Sequence, residues 1–156
     1  MIEKIGVKTK TANYKPETMI VVVNKKVNSR FFAMGHENPN NPSKFTPELY
    51  NPDSGSVIME NLSVDKSYDF HLASQKVTQG TCTPTLFKVA YDNSKIPMEA
   101  LISFTFEQCF NYYNWEGAVR VPACLQCADK MSKLFGESIK AEPGKDNPLL
   151  KKHFFL

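Results

Sequence analysis

Two strand-like runs joined by a short polar linker constrain this chain more than any other feature. They lie in residues 67–93, SYDFHLASQKVTQGTCTPTLFKVAYDN. In residues 68–72, Tyr68, Phe70 and Leu72 fall on one face at period two. In residues 86–91, Phe87, Val89 and Tyr91 alternate with Leu86, Lys88 and Ala90. Between the runs, Gln79-Gly80-Thr81-Cys82-Thr83-Pro84 has small side chains, one Gly, one Pro and no acid. A linker of that make-up exposes backbone N–H groups and hydroxyls, which suits holding a phosphate or another backbone segment. On composition alone it also reads as a plain connection stiffened by Pro84.

Residues 19–23 (MIVVV) form a second constraint, a short run that is apolar at every position. Such a run predicts a strand buried on both faces, as in α/β proteins. It leads at once into NKKVNSR, so Lys25, Lys26 and Arg30 gather at the C-terminal end of a strand, where α/β sheets place their ligands. Phe31 and Phe32 then return to the core. Residues 36–53 carry four prolines and read as a surface loop insert, and Ser54-Gly55-Ser56 as a turn into a short strand. After Asn93 the period changes. Residues 97–113 predict a helix with Pro97 in its first turn and Leu101, Phe104, Thr105, Gln108, Cys109 and Tyr112 as its stripe. Asn114-Trp115-Glu116-Gly117 breaks it, and Pro122 opens a second helix running to about residue 138. Strands first and two helices after give an α/β chain with an antiparallel or mixed sheet covered on one face.

Charge adds one pointer. The 156 residues carry a net charge of +3. Residues 1–30 hold a balance of +5, residues 31–100 of −3 and the remainder of +1. A basic first segment points mildly to a polyanion and is otherwise a solvated face. No leader segment is visible near Met1 and no apolar run approaches membrane-spanning length, so no membrane partner is expected. Four cysteines in a chain this long predict a reducing compartment, cytoplasmic or nuclear. Cys124 and Cys127 spell CxxC, but His36, His71 and His153 are scattered, so buried thiols are expected rather than a zinc or redox site. The apolar terminus HFFL reads as a docked end or a frayed one. No Ser-His-Asp set, P-loop or GxGxxG is present, and the residues alone name no reaction.

Four motifs, in order along the chain, carry a resemblance. VVNKKVNSRFF resembles the VVxKRxNTRFF run of the Piwi domain of Argonaute proteins. The 67–93 stretch resembles that domain's YDFFLxSQxxxQGTxxPTxYxVxxDN. YYNWEGAVRVPA resembles YYNWxGxxRVPAP, and LFGESI with the terminal HFFL resembles LVGQSI and the family's aromatic C-terminus. The NWxGxxRVP form and Leu134 point to the Piwi clade.

The resemblance implies an RNase H-like fold and identifies the whole of 1–156 as the C-terminal portion of a Piwi domain, a mixed sheet followed by two helices. It implies that two Mg²⁺ or Mn²⁺ ions act only in the complete domain, with three of four ligand positions upstream. The fourth falls on Asp129, where most slicing members have His; a carboxylate is a hard oxygen ligand suited to Mg²⁺. On its residues alone, Asp129 reads as an acid paired with Lys133 one turn on. The resemblance further implies guide-RNA contacts at Lys25, Lys26, Asn28 and Arg30, at Gln79, Gly80 and Thr81, and at Tyr112 and Arg120. The Leu156 carboxylate would help hold the guide's 5′ phosphate through a metal ion. Thr83 stands where some members carry Arg. The implied partners are a small guide RNA, a complementary target RNA, and the MID, PAZ and N domains of the same Argonaute chain. Three functions stay open: part of a guided endonuclease, a guide-binding silencing module that does not cut, or a truncated frame without activity of its own.

Overall fold

A strand that is apolar at every position still has only two faces, and one helix covers only one of them. The computed structural model describes residues 15–34, 49–60, 69–142, 144 and 148. Its strands are β1 (Met19–Asn24), β2 (Ala33–Met34), β3 (Leu49–Tyr50), β4 (Ser56–Glu60), β5 (Asp69–Ala73) and β6 (Thr85–Asp92). Two helices follow, α1 (Met98–Gln108) and α2 (Ala123–Lys133), and α2 widens into a π-helical turn over Leu134–Ile139. The main sheet runs β1-β6-β5-β4, and every described pair in it is antiparallel. The order of strands first and two helices after is the order expected.

The inner face of the sheet builds the core. Val23 lies opposite Phe87, and Phe87 opposite Phe70, so the three form one row across three strands. The Phe70 and Phe87 rings stack with centroids 5.0 Å apart and are essentially unexposed. Met98, Leu101, Ile102 and Phe106 of α1 pack on this row with Val21 and Val57. Each buried Phe contributes about 1.5–3 kcal/mol through area removed from water. The helix stripe therefore runs through 98, 101, 102, 105, 106 and 109. Phe104, expected inward, points to solvent at 59% exposure, because the i, i+3, i+4 set with most apolar surface starts at Met98. Pro97 and Pro122 each sit one position before the first helical residue rather than inside the first turn, in extended backbone. The turn into β4 abuts the same helix: Gly55 has φ +89°, and a Cβ there would lie 3.1 Å from the Phe106 ring.

The outer face corrects two expectations. β1 is buried on one face only: Val21 and Val23 are half-buried, whereas Ile20 and Val22 are more than half exposed. Among the described residues no element covers that outer side. Tyr91 continues the period-two set of Phe87 and Val89 in sequence but does not share their face. The register slips between Ile20 and Val21, leaving Ala90 as an extra residue, and this bulge turns Tyr91 to the outer face. Phe31 covers the ring of His71 edge-on at 5.1 Å, but Phe32 is exposed rather than returning to the core. Within the 36–53 insert, the described residues begin at β3, which pairs with β2 as a separate two-stranded ribbon. The rest of that insert, Tyr68 and most of the tail including Leu156 lie outside the described residues.

Candidate nucleic-acid interface

The basic segment begins where β1 stops pairing. The Asn24 side-chain carbonyl accepts the Lys26 N–H at 3.0 Å, a local turn that ends the strand and separates the two lysines. Lys26, Asn28 and Arg30 emerge exposed. Arg30 is held by its own segment, its Nη1 donating to the Val27 and Ser29 carbonyls at 2.8 Å each. Lys25 turns the other way, toward α2, and its Nζ donates to Asp129 Oδ2 at 3.0 Å.

Asp129 accepts a second ammonium on the same oxygen, from Lys133 one helical turn on, also at 3.0 Å. These two hydrogen bonds, Lys25's first, hold the Asp129 carboxyl below the usual carboxylate range. The pairing with Lys133 is what the residues alone predict; the partnership with Lys25 spans 104 positions and no local pattern announces it. Among the described residues no three His, Cys, Asp or Glu side chains group to hold a metal ion. The described donors do not make up a divalent-cation site: they bring one carboxylate, already balanced by two ammonium groups, where Mg²⁺ requires several oxygen ligands.

Arg120 ties the basic segment to the rest. Its Nη2 donates to the Lys25 carbonyl at 2.5 Å, and its own carbonyl accepts the Thr85 hydroxyl at 3.1 Å. The neighbouring carbonyls of Ala118 and Val119 accept from Gln75 Nε2 at 2.9 Å and Ser74 Oγ at 3.0 Å. The 118–120 segment is thus strapped to both ends of the β5–β6 connection. Arg120, expected at an RNA surface, is a part-buried guanidinium on a backbone carbonyl. Tyr112, expected there too, is buried at 5% exposure in a small cluster with Val119 and Ala123, with Lys130 Nζ 5.4 Å from its ring centroid. Arg120 thus supports the backbone at Lys25, and Tyr112 belongs to the cluster at the start of α2. Two buried polar atoms, Tyr112 Oη and Arg120 Nε, have no hydrogen-bond partner among the described residues.

The Gln79, Gly80 and Thr81 turn is exposed, and Gly80 adopts φ +76°, a conformation glycine enters without a Cβ penalty. Cys82 and Pro84 behind it are buried. Burial pushes the Cys82 thiol up, and Arg120 and Arg30 oppose it. The basic strand end and this connection are joined through Arg120, which bonds the Lys25 carbonyl on one side and the Thr85 hydroxyl on the other. Asn51 was missed by sequence reading: its side chain bonds Val77, Gly80 and Cys82 across this turn. Asn-Pro within a proline-rich run signals a loop, and that signal hides a side chain that shapes a different loop. Exposed Trp115 was likewise read from its residues only as turn chemistry, and exposed Tyr113 as the end of a helix that in fact stops at Gln108. Cys124, expected as a buried thiol, is exposed on α2. Among the described residues no helix is long and apolar enough to cross a membrane.

Comparison with known proteins gives this geometry its context. The Piwi domain family matches residues 2–140. The chain is 41% identical over 145 residues to the Piwi-like protein Ago3 of Bombyx mori, covering 93% of this chain and 14% of that protein. It superposes on the crystal structure of Drosophila Piwi with a TM-score of 0.77 at 33% identity, covering 99% of this chain and 20% of that one. The fold also matches the Kluyveromyces polysporus Argonaute solved with a guide RNA, with a TM-score of 0.67 at 19% identity over 83% of this chain and 16% of that one. The chain therefore spans well under a quarter of each of these relatives' lengths, and within that span it belongs to the Piwi domain family, with an RNase H-like fold and Piwi-clade relatives.

Proposed function

We propose that this chain contributes to a small-RNA-guided silencing protein by holding the sugar–phosphate backbone of a guide RNA. The groups that do so are Lys26, Asn28 and Arg30 together with the turn at Gln79, Gly80 and Thr81. The observation that carries this reading is the exposure of two cations and an amide past the end of β1, tied to the far end of the 79–84 connection by Arg120, whose guanidinium donates to the Lys25 carbonyl and whose own carbonyl accepts the Thr85 hydroxyl. Ammonium, guanidinium and backbone N–H groups contact phosphate and carry no base identity. Arg120 supports these groups by fixing the backbone at Lys25. The implied partners are the guide, its complementary target, and the MID, PAZ and N domains of the full-length protein. The test is a salt titration of the intact protein against single-stranded RNAs of unrelated sequence. Near-equal affinities that fall together with salt support it; strong preference for one sequence with little salt dependence counts against it.

Cutting is the finer part of the proposal. Asp129 stands where the family resemblance puts the last metal ligand, and a carboxylate held anionic has the right chemistry for one such ligand. The other ligands would come from elsewhere in the full-length protein, and so would those for any ion held through Leu156. A guide-binding module that does not cut is favoured by one observation, the two ammonium groups that already balance this carboxylate. Guide-directed cleavage of a target by the intact protein in Mg²⁺ or Mn²⁺, lost in Asp129→Ala, decides for cutting; no cleavage under those conditions decides for the module.

A further inference from the structure

The amide of Asn51 makes three hydrogen bonds to a loop it does not belong to. Its Nδ2 carries two protons, and they go to the Gly80 carbonyl at 2.7 Å and the Val77 carbonyl at 3.2 Å. Its Oδ1 accepts the Cys82 N–H at 2.8 Å. Two carbonyls on the nitrogen and one N–H on the oxygen fix the orientation of the amide without ambiguity. Asn51 follows β3, so one side chain spans about thirty positions to set the 77–82 backbone.

This has a geometric consequence. No peptide bond among the described residues is cis. In a trans peptide the C=O of one residue and the N–H of the next point in opposite directions. Drawing the Gly80 carbonyl toward Asn51 therefore turns the Thr81 N–H away from it, and drawing in the Val77 carbonyl turns away the Thr78 N–H. Thr78 and Thr81 are exposed, and no described group accepts either backbone proton. The left-handed backbone at Gly80 permits this arrangement; a Cβ there would meet nothing within 4 Å, so glycine is needed for conformation and not for space.

We propose that Asn51 is a positioning residue for RNA binding: by holding the Val77 and Gly80 carbonyls inward it presents the amides of Thr78 and Thr81 outward, as a pair of donors for backbone phosphate oxygens. The proposal rests on the guide-binding reading above. Asn51 itself touches no RNA, and its charge is zero. Its loss lowers affinity through the shape of the turn and leaves the salt slope unchanged, unlike the loss of Lys26 or Arg30.

The experiment uses the intact protein with a short fluorescein-labelled single-stranded RNA, reading affinity, its salt slope and residue-resolved amide exchange. In the unaltered protein, RNA slows exchange at Thr78 and Thr81. Asn51→Ala weakens binding by about threefold to tenfold, the value of one or two hydrogen bonds, and removes that slowing at an unchanged salt slope. Asn51→Asp keeps an acceptor for Cys82 and loses both donors, so it fails in the same way. Binding by Asn51→Asp at full strength overturns the proposal. So does an Asn51→Ala variant whose exchange quickens throughout β5 and β6, because that is loss of the fold rather than of the turn. If RNA never slows Thr78 and Thr81 while Lys26→Ala with Arg30→Ala still weakens binding, the positioning role fails and the strand-end reading stands. If the double variant binds at full strength too, the guide-binding reading itself fails.

Discussion

Lys25 Nζ lies 3.0 Å from Asp129 Oδ2, joining the end of β1 to the middle of α2 across 104 positions of sequence. It has a titration consequence. The Asp129 pKa is lowered, first by Lys25 and then by Lys133, so in the folded chain the carboxyl stays ionised below the ordinary carboxylate range. A depressed folded pKa gives a contribution that is fully present above the unfolded value and is lost as pH falls through the folded one. Lys25→Met raises the Asp129 pKa toward its ordinary value, read from the carboxyl-carbon shift in an acid titration. An unchanged midpoint would mean that the ion pair is not the cause.

If the strand end holds a guide as proposed, binding is expected to respond to its charge. In the intact protein, Lys26→Ala with Arg30→Ala weakens binding of every RNA sequence alike and lowers the salt slope by about one unit for each phosphate no longer neutralised. Asp129→Ala leaves that slope nearly intact, since it removes an anion rather than a cation that meets phosphate. Equal binding by the double variant across the titration would reduce the patch to a solvated face.

We predict that the purified 156-residue chain leaves RNA uncut. Hydrolysis of this kind needs metal ions clamped on both sides of the scissile phosphate, and the described residues bring one carboxylate to the place concerned. Incubation with Mn²⁺ and a guide–target duplex should leave the target whole. A site-specific cut that disappears in Asp129→Ala would be the contrary result.

Stability is concentrated on the inner face of the sheet. Phe87→Ala removes a ring at 1% exposure that stacks on Phe70, and costs about 3–5 kcal/mol. Val22→Ala on the outer face changes stability by no more than about 0.5 kcal/mol. Denaturant melts of the two variants check this, and similar losses would place the core elsewhere.

Thiol chemistry separates Cys124 from the two buried cysteines. Cys124 is exposed and reacts with a disulfide reagent in the native protein. Burial pushes the Cys109 thiol up to about 11 and raises that of Cys82, so both react only after unfolding. Rapid native labelling of Cys109 would contradict its burial.

Much of the fold was legible because local patterns and motifs agreed. Period-two runs found β5 and β6, the switch to steps of three and four found α1, and the two prolines marked where both helices begin. Face assignment failed where one residue of register decides it. Ala90 is an ordinary strand residue, and only pairing with β1 makes it the bulge that turns Tyr91 outward. At the candidate site, the exposed cations were readable from their crowding behind a strand. The roles of Arg120 and Asn51 were not, because their partners are backbone carbonyls, which no side-chain pattern encodes. Tyr112 falls between these cases: its motif is plain in sequence, and its burial depends on Val119, whose N–H bonds the Cys109 carbonyl at the end of α1, and on Ala123 at the start of α2.

The strand order β1-β6-β5-β4 also has a meaning in time. β4, β5 and β6 pair as successive neighbours along the chain, whereas the β1 pairing closes at Thr18 and Asn93, 75 residues apart. Closing a longer loop costs more chain entropy before any pairing rewards it, and long-range pairings form slowly. β1 is therefore expected to dock last onto a preformed three-stranded meander, bringing Lys25 to Asp129 as it arrives. Pulse-labelled exchange during refolding would show β5 and β6 protected before Val21 and Val23; simultaneous protection of all four strands would contradict this order. The basic strand end then comes into being only in the final step, so a chain halted just short of it has its core and no surface for RNA.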